Sequence, residues 1–414
     1  MVSLRHILAS LAIVPAALVS VSAAPVDERC DCEKPAPKVF IISMFAPEGE
    51  VWWGIPDFDI LAHNITVPGL SPLFPHVHCT EDHEICQLIT GESEINAATS
   101  ITSLVFSDKF DLTSTYFFIG GIAGINPEVA TTGSVTFARY AVQVALQYEI
   151  DAREIPANWS TGYFAQGSFG PDQYPESIYG TEVFEVNDNL RAKAVAFAKK
   201  GNLTDSAQAA TYRANYLIGD GASIYQAGAA APSVVECDVA TSDVYYTGNL
   251  LSEAFDNTTA LFTNGTGTYC STAQEDNATL ESLLRAALHK RVDFARIIVM
   301  RTASDFDRPY PGEDVAYHIL YANQDGFEIA VQNIYNAGVH VVKGILSEWK
   351  ETFECGVKAD NYIGDIFGTL GGNPNFGPGR AIALSEGGAL LTRRGMAGKK
   401  MRSTRRRGVV LAKP

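Results

Sequence analysis

Basic residues are scarce in this 414-residue chain, and long apolar runs are nearly absent. Lys and Arg number 31 against 47 Asp and Glu, a net charge of −16. An acidic body repels the phosphate backbone, which argues against nucleic acid as a partner. Beyond the first two dozen residues no apolar stretch is long enough to span a bilayer. Long uncharged runs such as 112–127 and 257–274 are broken by Gly, Thr, Ser and Asn. A multi-helix channel or carrier made from this chain alone is therefore not expected.

Cysteine is also sparse. Seven are present, at 30, 32, 79, 86, 237, 270 and 355, so disulfides are accessories to a hydrophobic core and the odd count leaves at least one unpaired in a monomer. Cys79 and Cys86 are spaced to close a short loop. No Gly-x-Ser-x-Gly, P-loop or His-Glu-x-x-His motif occurs, and no cofactor is expected. His76, His78, Cys79, His83 and Cys86 are metal-capable side chains, but their spacing does not fit the paired clusters of a closed zinc site. No metal is expected.

What is present reads as one α/β unit. Arg5 and His6 precede the apolar run Ile7 to Val21, which Pro15 interrupts and Ser22-Ala23-Ala24 closes. Residues 1–24 are thus expected to be a secretory signal. Residues 25–35 are expected to be a flexible lead-in, 36–365 the folded domain and 366–414 a flexible basic tail. Residues 380–414 contain ten Lys/Arg and a single acidic residue, Glu386. Asn-x-Ser/Thr sequons start at Asn64, Asn158, Asn202, Asn257, Asn264 and Asn277, consistent with a secreted or cell-surface glycoprotein. Asn277 lies beside Glu275 and is expected to stay unmodified.

Short β-branched or aromatic runs predict buried strands at Lys38–Met44, Ile85–Ile89, Thr115–Ile119 and Ala295–Arg301, with further strands at Ser134–Leu146 and Ser233–Tyr246. Helical periodicity marks Ile95–Phe106, Asn187–Lys200, Ser206–Tyr216, Asn249–Phe262, Asn277–Leu288 and Glu328–Trp349. Strands alternating with helices predict helices packed on a central sheet. Glu275 opens a helix. Asp305 is expected just past the C-terminal end of an apolar strand, where open α/β sheets place their ligands.

Six stations carry a resemblance. The opening strand leads to Glu48-Gly-Glu50-Val51, and Leu88-Ile-Thr-Gly91 leads to Ile95-Asn-Ala-Ala. Then come Gly120-Gly-Ile-Ala-Gly-Ile-Asn-Pro127, Thr241-Ser-Asp-Val-Tyr245, Ala273-Gln-Glu-Asp276 and Arg301-Thr-Ala-Ser-Asp305. With Phe74-Pro-His-Val-His-Cys-Thr80, these stretches resemble the fungal and bacterial purine nucleoside permease family. More distantly, they resemble the nucleoside phosphorylase and methylthioadenosine nucleosidase superfamily. The resemblance implies a nucleoside phosphorylase-like α/β sandwich, a central mixed β-sheet flanked by helices.

It also implies roles. Asp305 would donate to purine N7 as the base departs, and Glu275 would bind the vicinal ribose hydroxyls, with Gln274 alongside. Glu50, with Glu48 as competitor, would orient or deprotonate a water, and Tyr245 would cover the base. Gly121, Ala123 and Gly124 would line the site as a glycine loop. The bland alternatives are a turn cap for Asp305 and helix-dipole stabilisation for Glu275. Ile122 stands where the superfamily carries a phosphate-handling hydroxyl, and Arg139 and Arg301 are the substitutes on offer. Hydrolysis of a purine nucleoside is therefore expected over phosphorolysis, with phosphate as the minority co-substrate. The base freed by cleavage would pass to a membrane transporter; a homo-oligomer is left open. The alternative is a non-catalytic nucleoside-binding component of an uptake system.

Overall fold

The computed structural model describes residues 34–219 and 221–377. The expected signal, most of the lead-in with Cys30 and Cys32, and the basic stretch 380–414 lie outside them. At the centre is Val39–Ser43, whose five residues are all buried. Its pleat sends Phe40 and Ile42 to one hydrophobic cluster and Val39 and Ile41 to another. Tyr116–Ile125 does the same with Phe117 and Ile119 against Tyr116 and Phe118. Side chains alternate across a strand, so a strand apolar at every position must be covered on both faces.

The covers are helical. Ser93–Phe106 and Asp276–Leu288 pack together on one face, and Asp188–Ala198 and Phe327–Ser347 on the other. Between them lies one mixed sheet, thirteen strands among the described residues. Val39–Ser43 runs parallel to both Ile85–Ile89 and Tyr116–Ile125. Tyr116–Ile125 is parallel to Ile297–Phe306 and antiparallel to Tyr269–Ala273. The expected α/β architecture with a central mixed sheet is what the molecule has.

Several boundaries differ from expectation. Gly120–Gly124 is not a loop: the strand continues through it to Ile125, with each residue in register against Ile297–Phe306. Ser134–Leu146 divides into Val135–Ala138 and Tyr140–Gln143, which serve different neighbours. Packed structure passes the expected limit at 365, since Ile366 and Phe376 are fully buried against Tyr140 and Val142. Cys79 pairs with Cys86 as expected, and Cys237 with Cys270, which was not foreseen. Cys355 is free and exposed. Asn277 is buried and its amide donates to Thr181 O at 2.8 Å, leaving no room for a glycan. Among the described residues no helix is long and apolar enough to cross a membrane.

Candidate functional site

The C-terminal ends of Val39–Ser43 and Ile297–Phe306 meet the start of helix Asp276–Leu288 around a cavity of about 480 Å³. That lies within the ~300–1,000 Å³ of small-molecule sites. Met44, Phe45, Glu48, Ile122, Ala123, Gly124, Tyr245, Gln274, Glu275, Arg301, Asp305, Gln324 and Phe327 are among its walls. Residues 283 positions apart in sequence, Met44 and Phe327, thus share one void, because the parallel strands deliver their ends to the same edge of the sheet.

Arg301 is its electrostatic centre. The guanidinium is buried and bonds Glu275 Oε2 at 3.2 Å, Asp276 Oδ2 at 3.0 Å and the Ile122 carbonyl at 3.1 Å. Glu48 lies across from it, accepting from the Met44 and Ile122 N–H groups at 2.7 Å each. A Cβ on Gly121 would come within 2.0 Å of Met44 Cε, 2.6 Å of Glu48 Oε1 and 2.8 Å of Arg301 Nη1. The glycine is what lets carboxylate and guanidinium lie flat on the strand. Gly121 is therefore a floor beneath the charges and not a wall of the cavity, unlike Ala123 and Gly124.

Three buried carboxylates share one guanidinium, and burial decides the outcome. Desolvation pushes the Glu48 carboxyl up to about 8, against the attraction of Arg301 and with help from Glu275. Burial likewise raises Glu275, opposed by Arg301 and the Ser93 N–H, which donates to its Oε1 at 3.0 Å. Glu275 is the residue preceding the helix and makes no side-chain cap bond, so its carboxylate is free of the helix end and turned to Arg301 and the void.

Asp305 lies inside its strand at a bulge, where the ladder steps from Ala303↔Ala123 to Asp305↔Gly124. It is neither past the strand nor a helix cap. Ser304 Oγ donates to Oδ1 at 2.5 Å and Tyr245 Oη to Oδ2 at 2.8 Å. Burial raises this carboxyl too, opposed by those two hydroxyls. Tyr245 is 67% exposed and lines the cavity with its hydroxyl on Asp305. Gln274 lines the wall and donates to Asp243 O at 3.3 Å.

Glu50 is the clear correction. It is exposed and outside the cavity, while Glu48 is 2% exposed and inside it. Two residues apart on a helical turn are about 200° apart around the axis, so only one could face inward. Gly120–Gly124 forms no backbone anion cradle either: the Ile122 N–H is spent on Glu48 and its neighbours are in the strand ladder. Arg139 pairs with Glu185 and is not in the wall; Arg301 is occupied by carboxylates. Sequence reasoning passed over Gln324 and His318, both in the wall and buried, because no local pattern distinguishes them.

The model of one family, described as purine nucleoside permease, matches residues 36–358. The chain belongs to that family. It is 47% identical over 347 residues to the purine nucleoside permease of Candida albicans, covering 82% of this chain and 83% of that protein. A probable purine nucleoside permease of Schizosaccharomyces pombe is 41% identical over 323 residues, 76% of this chain and 90% of that one. Among solved structures, the 5′-methylthioadenosine/S-adenosylhomocysteine nucleosidase of Neisseria meningitidis aligns with 12% identity and a TM-score of 0.43, over 75% of this chain and 99% of that one. The futalosine hydrolase of Helicobacter pylori aligns with 15% identity and a TM-score of 0.42, over 75% and 98%. Every residue named above in the cavity wall falls within the matched span 36–358.

Proposed function

We propose that the cavity binds a purine nucleoside and hydrolyses its N-glycosidic bond, as one step of nucleoside uptake. The observation that carries this reading is the charge of the wall. Glu48, Glu92, Glu275, Asp305, Asp307 and Asp325 face the void, and the Arg301 guanidinium is already bound to two carboxylates. Such a wall offers phosphate no unpaired guanidinium and suits a neutral, hydroxyl-rich ligand. Water is then the nucleophile. Glu48 takes a proton from it as its oxygen bonds to C1′. The C1′–N9 electron pair passes into the purine, and Asp305 gives its proton to N7. Free ribose and free base result, the base leaving through another protein. The two disulfides and the exposed sequons at Asn64, Asn158, Asn202 and Asn264 support an oxidising, secretory location.

The purified chain incubated with inosine, adenosine or guanosine should release base at the same rate with and without phosphate. Ribose 1-phosphate as product, formed only when phosphate is supplied, would refute hydrolysis. Tight binding without turnover would instead establish the non-catalytic reading that the family's name favours.

Glu48 must be ionised to accept the water's proton. Its carboxyl is held near 8, so kcat/KM should rise with pH along a limb centred at about 8. Glu48→Gln should lose that limb with most of the rate. A limb at the pH of an ordinary carboxylate would remove Glu48 from this role.

Glu275→Gln should weaken ribonucleosides and leave 2′,3′-dideoxy analogues nearly unchanged. Charge-assisted bonds contribute about 1.5–3 kcal/mol each, so a loss of at least about tenfold in affinity is expected for inosine. Equal losses for both sugars would reduce Glu275 to a partner of Arg301.

A further inference from the structure

The bulge at Ser304 removes the regular ladder where Asp305 needs it most. Pairing is continuous to Ala303↔Ala123 and resumes at Asp305↔Gly124, so Ser304 has no ladder partner. A catalytic carboxyl at such a break can pivot with its own peptide plane unless something else holds that plane.

Residues 318–326 supply the hold. Gln324 Oε1 accepts the Phe306 N–H at 2.7 Å, and that N–H belongs to the Asp305–Phe306 peptide. The next peptide is gripped as well, for His318 Nε2 lies 3.0 Å from the Phe306 carbonyl. A carbonyl only accepts, so Nε2 carries the hydrogen of this bond. His318 is itself fixed by Glu313 Oε2 at 2.7 Å from Nδ1, and Tyr212 Oη donates to the same Glu313 oxygen at 3.0 Å. His318 and Glu313 side chains are 2% and 3% exposed, and Gln324 is 8% exposed. Buried polar side chains aimed at one stretch of backbone constrain it far more than exposed ones. Contact is close throughout: a Cβ on Gly326 would lie 2.1 Å from the Ser304 carbonyl. The Phe306 ring is anchored as well, 4.3 Å from that of Tyr216.

We propose that Gln324 and the Glu313–His318 pair are positioning residues, clamping the Phe306 backbone so that the Asp305 carboxyl stays aimed at purine N7. The proposal rests on the reading of Asp305 as the donor to N7. None of the three touches the base in this role; Gln324 and His318 act through the peptide planes beside Asp305, and Glu313 through His318.

The test is the affinity of the purified chain for inosine and for 7-deazainosine, which lacks the N7 acceptor, measured by calorimetry so that turnover is not required. The wild type should prefer inosine by about tenfold, the value of one good hydrogen bond. Gln324→Leu, which removes the acceptor for Phe306 N–H, should shrink that preference to about twofold or less, whatever change in affinity the two ligands share. Gln324→Glu keeps an acceptor and should restore it. His318→Leu and His318→Gln form a parallel pair, the glutamine keeping a donor for the Phe306 carbonyl, and carry the test if the Gln324 variants fold poorly. Variants that weaken both ligands equally, with the preference intact, overturn the proposal and leave the Asp305 reading standing. A wild type that binds the two ligands equally overturns the proposal, and the Asp305 reading is then decided separately by cleavage of the 7-deaza nucleoside.

Discussion

Asp305→Ala should reduce nucleoside cleavage by about 10²–10⁴-fold while changing nucleoside affinity by no more than about tenfold, one hydrogen bond's worth. Negative charge reaches the purine only as the C1′–N9 bond breaks, so a donor at N7 is worth most in the transition state. The carboxyl suits this task because burial raises it above the ordinary carboxylate range, keeping a proton available to give. A 7-deaza nucleoside should already be a poor substrate for the wild type. It should lose little more in the variant, because both changes delete the same bond. Stability separates this from a structural role. Asp305 caps no helix and accepts only from the Ser304 and Tyr245 hydroxyls, so removing it should leave the melting temperature nearly unchanged. A large drop in melting temperature with normal cleavage by the folded fraction would make Asp305 a structural residue.

Local pattern made some of this site legible and hid the rest for definable reasons. Val39-Phe-Ile-Ile-Ser43 is apolar at nearly every position, and no surface strand could be, so the sheet and its two helical covers were readable. The approach of Glu275 and Asp305 was readable too, since each stands at the junction of a strand with the cavity edge. Gly120–Gly124 misled because glycine marks turns when only neighbours in sequence are considered. Here one of them, Gly121, makes room for Glu48 and Arg301, which come from elsewhere in the chain. The choice between Glu48 and Glu50 turned on the phase of one short helix, Ala46–Glu50, which five residues do not encode. Cys237 and Cys270 pair because Cys237 directly precedes Asp238–Thr241, the strand beside Tyr269–Ala273 that carries Cys270. That adjacency, like the reach of Gln324 to Phe306, is a property of the assembled sheet.

Arg301→Met should be the most destabilising single change in the site, and its cost should grow with pH. Glu275 and Asp276 bond the guanidinium directly, and Glu48 is drawn to it electrostatically. All three carboxyl groups are buried. Removing one partner of a buried pair typically costs about 3–5 kcal/mol, because the other charge is left uncompensated; a fall in melting temperature of roughly 10 °C is the corresponding scale. The pH dependence follows from the direction of the shifts. Glu48 and Glu275 already have folded-state values above those of the unfolded chain. Their contribution is intact at acid pH, below the unfolded value, and is lost as pH rises through the folded value. Losing the guanidinium, which lowers both, moves the folded values higher still. The deficit of the variant relative to wild type should therefore be smallest near pH 5 and largest above pH 8. Adding Asp276→Asn removes one of the stranded charges and should recover part of the loss. Chemical denaturation of the three proteins across pH 5–9 reads all of this directly. A deficit that stays constant with pH would mean that Arg301 matters for its packed stem, and that the carboxylates around it do not depend on its charge.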